Sequence, residues 1–311
     1  MDSFRASSAG AKLSPRLVYL LLVHTLPQQC RRLIERLQSS ASTFWVHVDA
    51  KSDQSVFCRE LQGLPVRFVQ KRYHAQWGRY TFVEAKLAGI QEIIDSQQLF
   101  DQLIILSGQD YPLVSSEAIS THFSAYPNCS FVHHVPITQL EANMHDRVSK
   151  YHFYLPLNRA IIYPYDNGGW LKKRINAAIR LSGQFPLPRP ALLGYPFYFG
   201  SNWVRLSWKA TNYLLKKVAS FPEIATFFRR TLVSDEFFFQ TLLLNASEEE
   251  RGIIINSNCT FTHWNRPPEA YQTPLSMNDL ESSLTSQCLF ARKFNELYDK
   301  KLLTWLDQHH N

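Results

Sequence analysis

The run Leu103-Ile104-Ile105-Leu106 is the strongest constraint on what this chain can fold into. Four consecutive apolar residues, two of them β-branched, read as a strand buried on both faces, as found inside a mainly parallel sheet. The run gives way to Ser107-Gly108-Gln109-Asp110 and then Tyr111-Pro112-Leu113, where Pro112 forbids a helix from starting at once. In open α/β sheets, ligands sit in the crevice beyond the carboxyl ends of the strands. Asp110 therefore stands where a sugar, a nucleotide or a metal would be met. The alternative is a plain turn residue bonded to its own backbone.

The rest of the first hundred residues agrees with that sheet. Strands are predicted at 17–23, 44–48 and 66–69, and helices at 30–37 and 81–94, from apolar runs and helical spacing respectively. Repeated strand–helix–strand units indicate an α/β fold with a doubly wound, mainly parallel sheet flanked by helices. His24, Asp49, His74 and Asp110 each lie just after a predicted strand, and four such residues in corresponding places suggest one ligand crevice. Further on, a helix is predicted over 116–126 and a strand over 131–135. A charged segment at 141–154 carries Arg147, and Pro186, Pro188 and Pro190 stiffen a loop. A helix is expected near 207–219. Another is expected to start with Ser234 as its cap and Asp235 and Glu236 in its first turn. Residues 1–12 read as a loose tail. No linker divides the remainder, so 13–311 is expected to be one domain, with a donor-binding half near 13–135 and an acceptor or catalytic half near 136–311.

Charge and motif content narrow the chemistry. A formal charge of +7 favours anionic partners such as a nucleotide diphosphate or the surface of an anionic membrane. The basic residues are dispersed and form no nucleic-acid motif, so no nucleic-acid partner is expected. The five cysteines are scattered and contain no Cys-x-x-Cys pair, which argues against a zinc site or a disulfide framework. No Asp-x-Asp pair occurs, so the usual Mg²⁺ or Mn²⁺ clamp on a nucleotide diphosphate is missing, and neither metal nor cofactor is expected. A bound diphosphate would then need Lys or Arg, with Arg266, Arg292 and Lys293 as candidates. The seven apolar residues 17–23 are too few to span a bilayer, and no cleavage site follows them. The expectation is a cytoplasmic protein with at most peripheral membrane contact. Glu236 has two readings: a helix-start residue that complements the dipole, or a general base, since a carboxylate of pKa about 4.3 is ionised at neutral pH.

Several motifs, taken in order, resemble glycosyltransferase family 14, which holds the core-2 and I-branching β1,6-N-acetylglucosaminyltransferases and the peptide O-xylosyltransferases. They are Val46-His47-Val48-Asp49-Ala50-Lys51-Ser52, Trp77-Gly78, Leu106-Ser107-Gly108-Gln109-Asp110-Tyr111-Pro112-Leu113, Gly200-Ser201-Asn202-Trp203, Ser234-Asp235-Glu236, Thr262-His263-Trp264-Asn265 and Phe290-Ala291-Arg292-Lys293-Phe294. The set covers about 16–296. The resemblance implies a GT-A-like fold and inverting, metal-independent transfer from a UDP-sugar carrying GlcNAc or xylose to a glycan or peptide acceptor. It places the catalytic base on Glu236 and a diphosphate-binding cation on Lys293. Asp49 falls at the uridine with His24 and His74 nearby, Asp110 at the donor crevice, and Arg147, Ser201 and Trp203 on the acceptor side. Two features depart from the family. Thr260 stands nearest the place of a second diphosphate-binding Arg, a role left to Arg266, and the membrane anchor of the Golgi members is missing, which suggests a soluble, bacterial-type member. The rival from another class is a non-catalytic sugar- or nucleotide-binding protein on the same fold.

Overall fold

The computed structural model describes residues 14–152, 170, 174, 189–263 and 272–309. Its centre is a seven-stranded sheet in the order β10-β6-β9-β4-β1-β2-β3. The strands are β1 (Leu17–Val23), β2 (Ser42–Val48), β3 (Val66–Phe68), β4 (Gln102–Ser107), β6 (Cys129–Phe131), β9 (Arg205–Ser207) and β10 (Ile253–Ile255). β1 runs parallel to both β2 and β4, while β9 lies antiparallel to β4 and β6. The mainly parallel α/β architecture expected from the 103–106 run is the one found.

Alternation along β1 explains the three layers. Leu17, Tyr19, Leu21 and Val23 face one helical layer, which includes α1 (Pro27–Leu37), α2 (Gln54–Glu60) and the closing helix Lys300–His309. Val18, Leu20 and Leu22 face the other, built from α3 (Thr81–Asp95) and the helices Trp208–Ser220 and Phe238–Leu244. All seven β1 residues are buried, because a central strand with helices on both faces has no solvent side. Among the described residues, no helix is long and apolar enough to cross a membrane.

Four local expectations are corrected. The helix predicted from residue 30 starts at Pro27, whose fixed φ and missing N–H suit a first helical turn. The strand predicted at 131–135 is displaced: β6 ends at Phe131, and β7 (Val135–Pro136) pairs with β8 (Tyr198–Phe199) in a separate ribbon. Asp110–Pro112, read only as following the end of the 103–106 strand, is itself β5, the edge of a small sheet in the order β11-β12-β5, with β11 at Thr260–Thr262 and β12 at Phe290–Arg292. An edge strand tolerates Pro112, which has no N–H to give. Finally, Ser234–Glu236 forms a separate 3-10 turn, and the α-helix begins only at Phe238. Ser234 caps nothing: its buried Oγ has no hydrogen-bond partner among the described residues.

Candidate active site

The small sheet lies beyond the end of β4 and brings C-terminal cations to the crevice. Register pairs Arg292 with Asp110 across β12 and β5. Asp110, 1% exposed, accepts from the backbone N–H of Ser107 with one oxygen and faces Arg292 Nε at 3.5 Å with the other. Lys293 follows, half-buried, its ammonium pulled down by burial and by Arg292 and pulled up by Asp110. Arg205, fully buried on β9, donates to Thr260 Oγ1 at 2.7 Å. Nε and Nη1 of both Arg205 and Arg292 find no hydrogen-bond partner among the described residues. Three cations thus gather around one carboxylate, with buried N–H groups still to be satisfied. Gln29 holds this corner together, donating to Gly108 O at 2.8 Å and accepting from Glu296 N at 2.9 Å.

The 3-10 turn supplies the second part. Val233 adopts φ 53°, costly for a β-branched residue, and is tied there by its N–H to Gly78 O at 2.9 Å. Next to it, Leu232 N donates to Arg147 O at 3.1 Å, so the helix Ala142–Ser149 is fastened to the same turn. Gly200 closes it from the other side, its N–H donating to Glu236 O at 2.8 Å. A Cβ at Gly200 would lie 1.8 Å from His133 O, so only glycine fits this approach.

These ties set out two adjacent carboxylates differently. Asp235, 5% exposed, accepts from Asn202 Nδ2 at 2.9 Å and leaves Oδ1 unpartnered. Glu236 accepts from Arg147 Nη1 at 3.1 Å, and its side chain keeps 27% of its surface open. Burial among its neighbours, then the Asp235 charge, push the Glu236 carboxyl above the ordinary carboxylate range, while Arg147 and Lys86 pull it down. A raised, partly open carboxyl beside a fixed guanidinium is arranged to exchange a proton near neutral pH.

The sequence matches the model of the family described as Branch: Core-2/I-Branching enzyme over residues 17–285. The chain belongs to the Core-2/I-branching enzyme family. Its relatives include the beta-glucuronosyltransferase GlcAT14A of Arabidopsis thaliana, 25% identical over a 294-position alignment that covers 90% of this chain and 61% of that protein. They also include a xylosyltransferase of Ciona intestinalis, 25% identical over a 317-position alignment that covers 94% of this chain and 34% of that protein. The chain thus spans less than two thirds of the length of either relative. Among solved structures, mouse xyloside xylosyltransferase 1 matches 88% of this chain and 97% of its own at 11% identity and a TM-score of 0.37, a likeness too weak to carry an argument.

Within this Core-2/I-branching chain, the residues singled out from sequence fall into three groups. Glu236, Arg147, Asp110 and Lys293 lie in the two clusters above. Arg147 sits on Glu236 itself, which ties it to that carboxylate as much as to an acceptor. His24, Asp49 and His74 line the edge made by β1 and β2. There Asp49 is 5% exposed, with Oδ1 accepting from Lys51 N at 2.9 Å and Oδ2 from Ala75 N at 3.0 Å. Burial, then Lys51 and Lys293, lower the His24 pKa, and His74 Nδ1 lies 3.3 Å from Gln76 Nε2. Of Ser201 and Trp203, expected on the acceptor side, Ser201 accepts through its backbone O from Gln240 Nε2 at 2.6 Å. Trp203 is 5% exposed, with Arg292 4.3 Å and Lys86 5.2 Å from its ring centre. Arg266 lies outside the described residues.

Sequence reasoning missed the residues that act through others. Arg72 donates to the carbonyls of Val48, Asp49 and Ser52, bracing the β2 end of the crevice. Lys86, Asn202 and Arg205 were missed as well. Lys86 had a visible signal, since it breaks the apolar helical stripe of Val83, Ile90 and Ile93. Among the described residues, no group of three or more His, Cys, Asp or Glu side chains could hold a metal ion.

Proposed function

We propose that this chain transfers a sugar from a UDP-sugar to an acceptor hydroxyl on a glycan or peptide, with inversion and without a metal. The observation that carries the reading is Glu236, a partly open carboxyl of raised pKa fixed by Arg147 and by the backbone of Gly200. In its ionised form Glu236 takes the proton of the attacking hydroxyl. The new bond forms between acceptor oxygen and anomeric carbon, the bond to the diphosphate oxygen breaks, and UDP leaves. Lys293 and the guanidinium of Arg292 meet the charge that grows on the leaving diphosphate, the task a divalent cation would otherwise perform. Family membership and relatives named for xylosyl and glucuronosyl transfer support a glycosyl donor.

The test is UDP release from UDP-xylose, UDP-glucuronic acid and UDP-N-acetylglucosamine, with glycan and serine-containing peptide acceptors, in EDTA and in excess Mn²⁺. Acceptor-dependent release from one donor, agreeing within a few-fold between the two conditions, is the expected result. Loss of turnover in EDTA overturns the metal-free mechanism. UDP-sugar binding without turnover on any acceptor favours the non-catalytic binding protein.

A further inference from the structure

Lys86 is the only charged residue on the buried side of α3. One turn later, a Cβ on Gly89 would meet Leu20 Cδ1 at 2.5 Å, so the helix lies hard against β1 and the origin of the lysine is fixed. The side chain is 0% exposed. Its Nζ donates to Asn202 O and lies 4.6 Å from the ring centre of Phe82, 5.2 Å from Trp203 and 5.3 Å from Phe239. Asn202 in turn donates through Nδ2 to Asp235 at 2.9 Å. The chain of contacts runs from Lys86 through Asn202 to Asp235, next to Glu236.

A methionine or leucine would fill the same space without the cost of burying an ammonium, so what the lysine adds here is charge and a donor. Three aromatic faces and one carbonyl keep that charge in place. The charged groups that bear on it are Asp235 and Glu236 from the turn and Arg292 from β12, with Arg147 holding Glu236. Burial pulls the ammonium down to about 8 against the pull of Asp235, which leaves it mostly charged at neutral pH.

We propose that Lys86 is a positioning residue for the base: it fixes Asp235 through Asn202, and its charge helps Glu236 ionise. Lys86 touches no substrate. The proposal rests on reading Glu236 as the base, but its test needs no turnover. The Glu236 carboxyl is followed by ¹³C NMR against pH in the full chain, its signal identified by its absence in Glu236→Gln. In Lys86→Met the midpoint is expected to rise by roughly 0.5–1 pH unit, since a nearby opposite charge favours the ionised form. In Asn202→Ala, a change at a partly exposed residue that keeps the Lys86 charge and its carbonyl acceptor, it is expected to move less than in Lys86→Met. An unmoved midpoint in Lys86→Met overturns the proposal even if the melting temperature falls. If Lys86→Met does not fold, an unmoved midpoint in Lys86→Gln, which keeps a donor and removes the charge, overturns it. A midpoint that moves while Glu236→Gln still transfers sugar normally leaves this coupling intact and removes the base assignment instead.

Discussion

Asp49, at the crevice edge built by β1 and β2, commits both carboxylate oxygens to backbone N–H groups, those of Lys51 and Ala75. Glu236, on the 234–236 turn, accepts from the side chain of Arg147 and keeps 27% of its own side chain open. Both acids follow structured segments that point at a crevice, yet their chemistry differs. A carboxylate tied by two backbone amides holds a loop. A carboxyl pressed by burial and by a neighbouring Asp, with one guanidinium held against it, is poised between its two forms. Position after a strand locates a side chain; the partners of its oxygens decide what it does.

The largest effect should come from breaking the active half of this contrast. Glu236→Gln keeps shape and hydrogen bonding but removes the basic lone pair. Sugar transfer should fall by about 10²–10⁴-fold with UDP-sugar binding preserved, the usual range for a general base. Initial rates and a binding isotherm check it, with Asp235→Asn as the paired variant. A near-normal Glu236→Gln enzyme beside a dead Asp235→Asn enzyme would move the base by one residue.

A smaller effect should mark the structural half. Asp49→Ala strips two part-buried N–H groups of their acceptor and should cost about 1–3 kcal/mol of stability, read from the denaturant midpoint. The activity remaining below the unfolding transition should then follow the folded fraction. Full stability together with lost UDP binding would show that Asp49 serves the ligand rather than the loop.

These two halves were not equally legible in the sequence. The sheet could be read because runs such as 17–23 and 103–106 are long and apolar enough to admit one burial pattern. Glu236 stood out by its motif, but its setting did not: a Ser-Asp-Glu start looks like a capped helix, and only the left-handed Val233, tied to Gly78, turns it into a separate 3-10 turn. The order Asp110–Arg292 could not be foreseen either, because it depends on β5 and β12 pairing across about 180 intervening residues. Lys86 was visible as a flaw in a stripe, yet nothing local says that Asn202 and Asp235 wait at the end of its side chain.

The most direct test is the pH dependence of kcat/KM in the native chain. Because burial and Asp235 raise the Glu236 carboxyl, the free enzyme holds it protonated on the acid side and releases the base only as pH rises through that raised value. The rate should therefore climb with pH along an acid limb lying well above the ordinary carboxylate pKa of about 4.3, and that limb should be absent from the residual activity of Glu236→Gln. A limb at the ordinary carboxylate position, or the same raised limb surviving in Glu236→Gln, would contradict the assignment of Glu236 as the base.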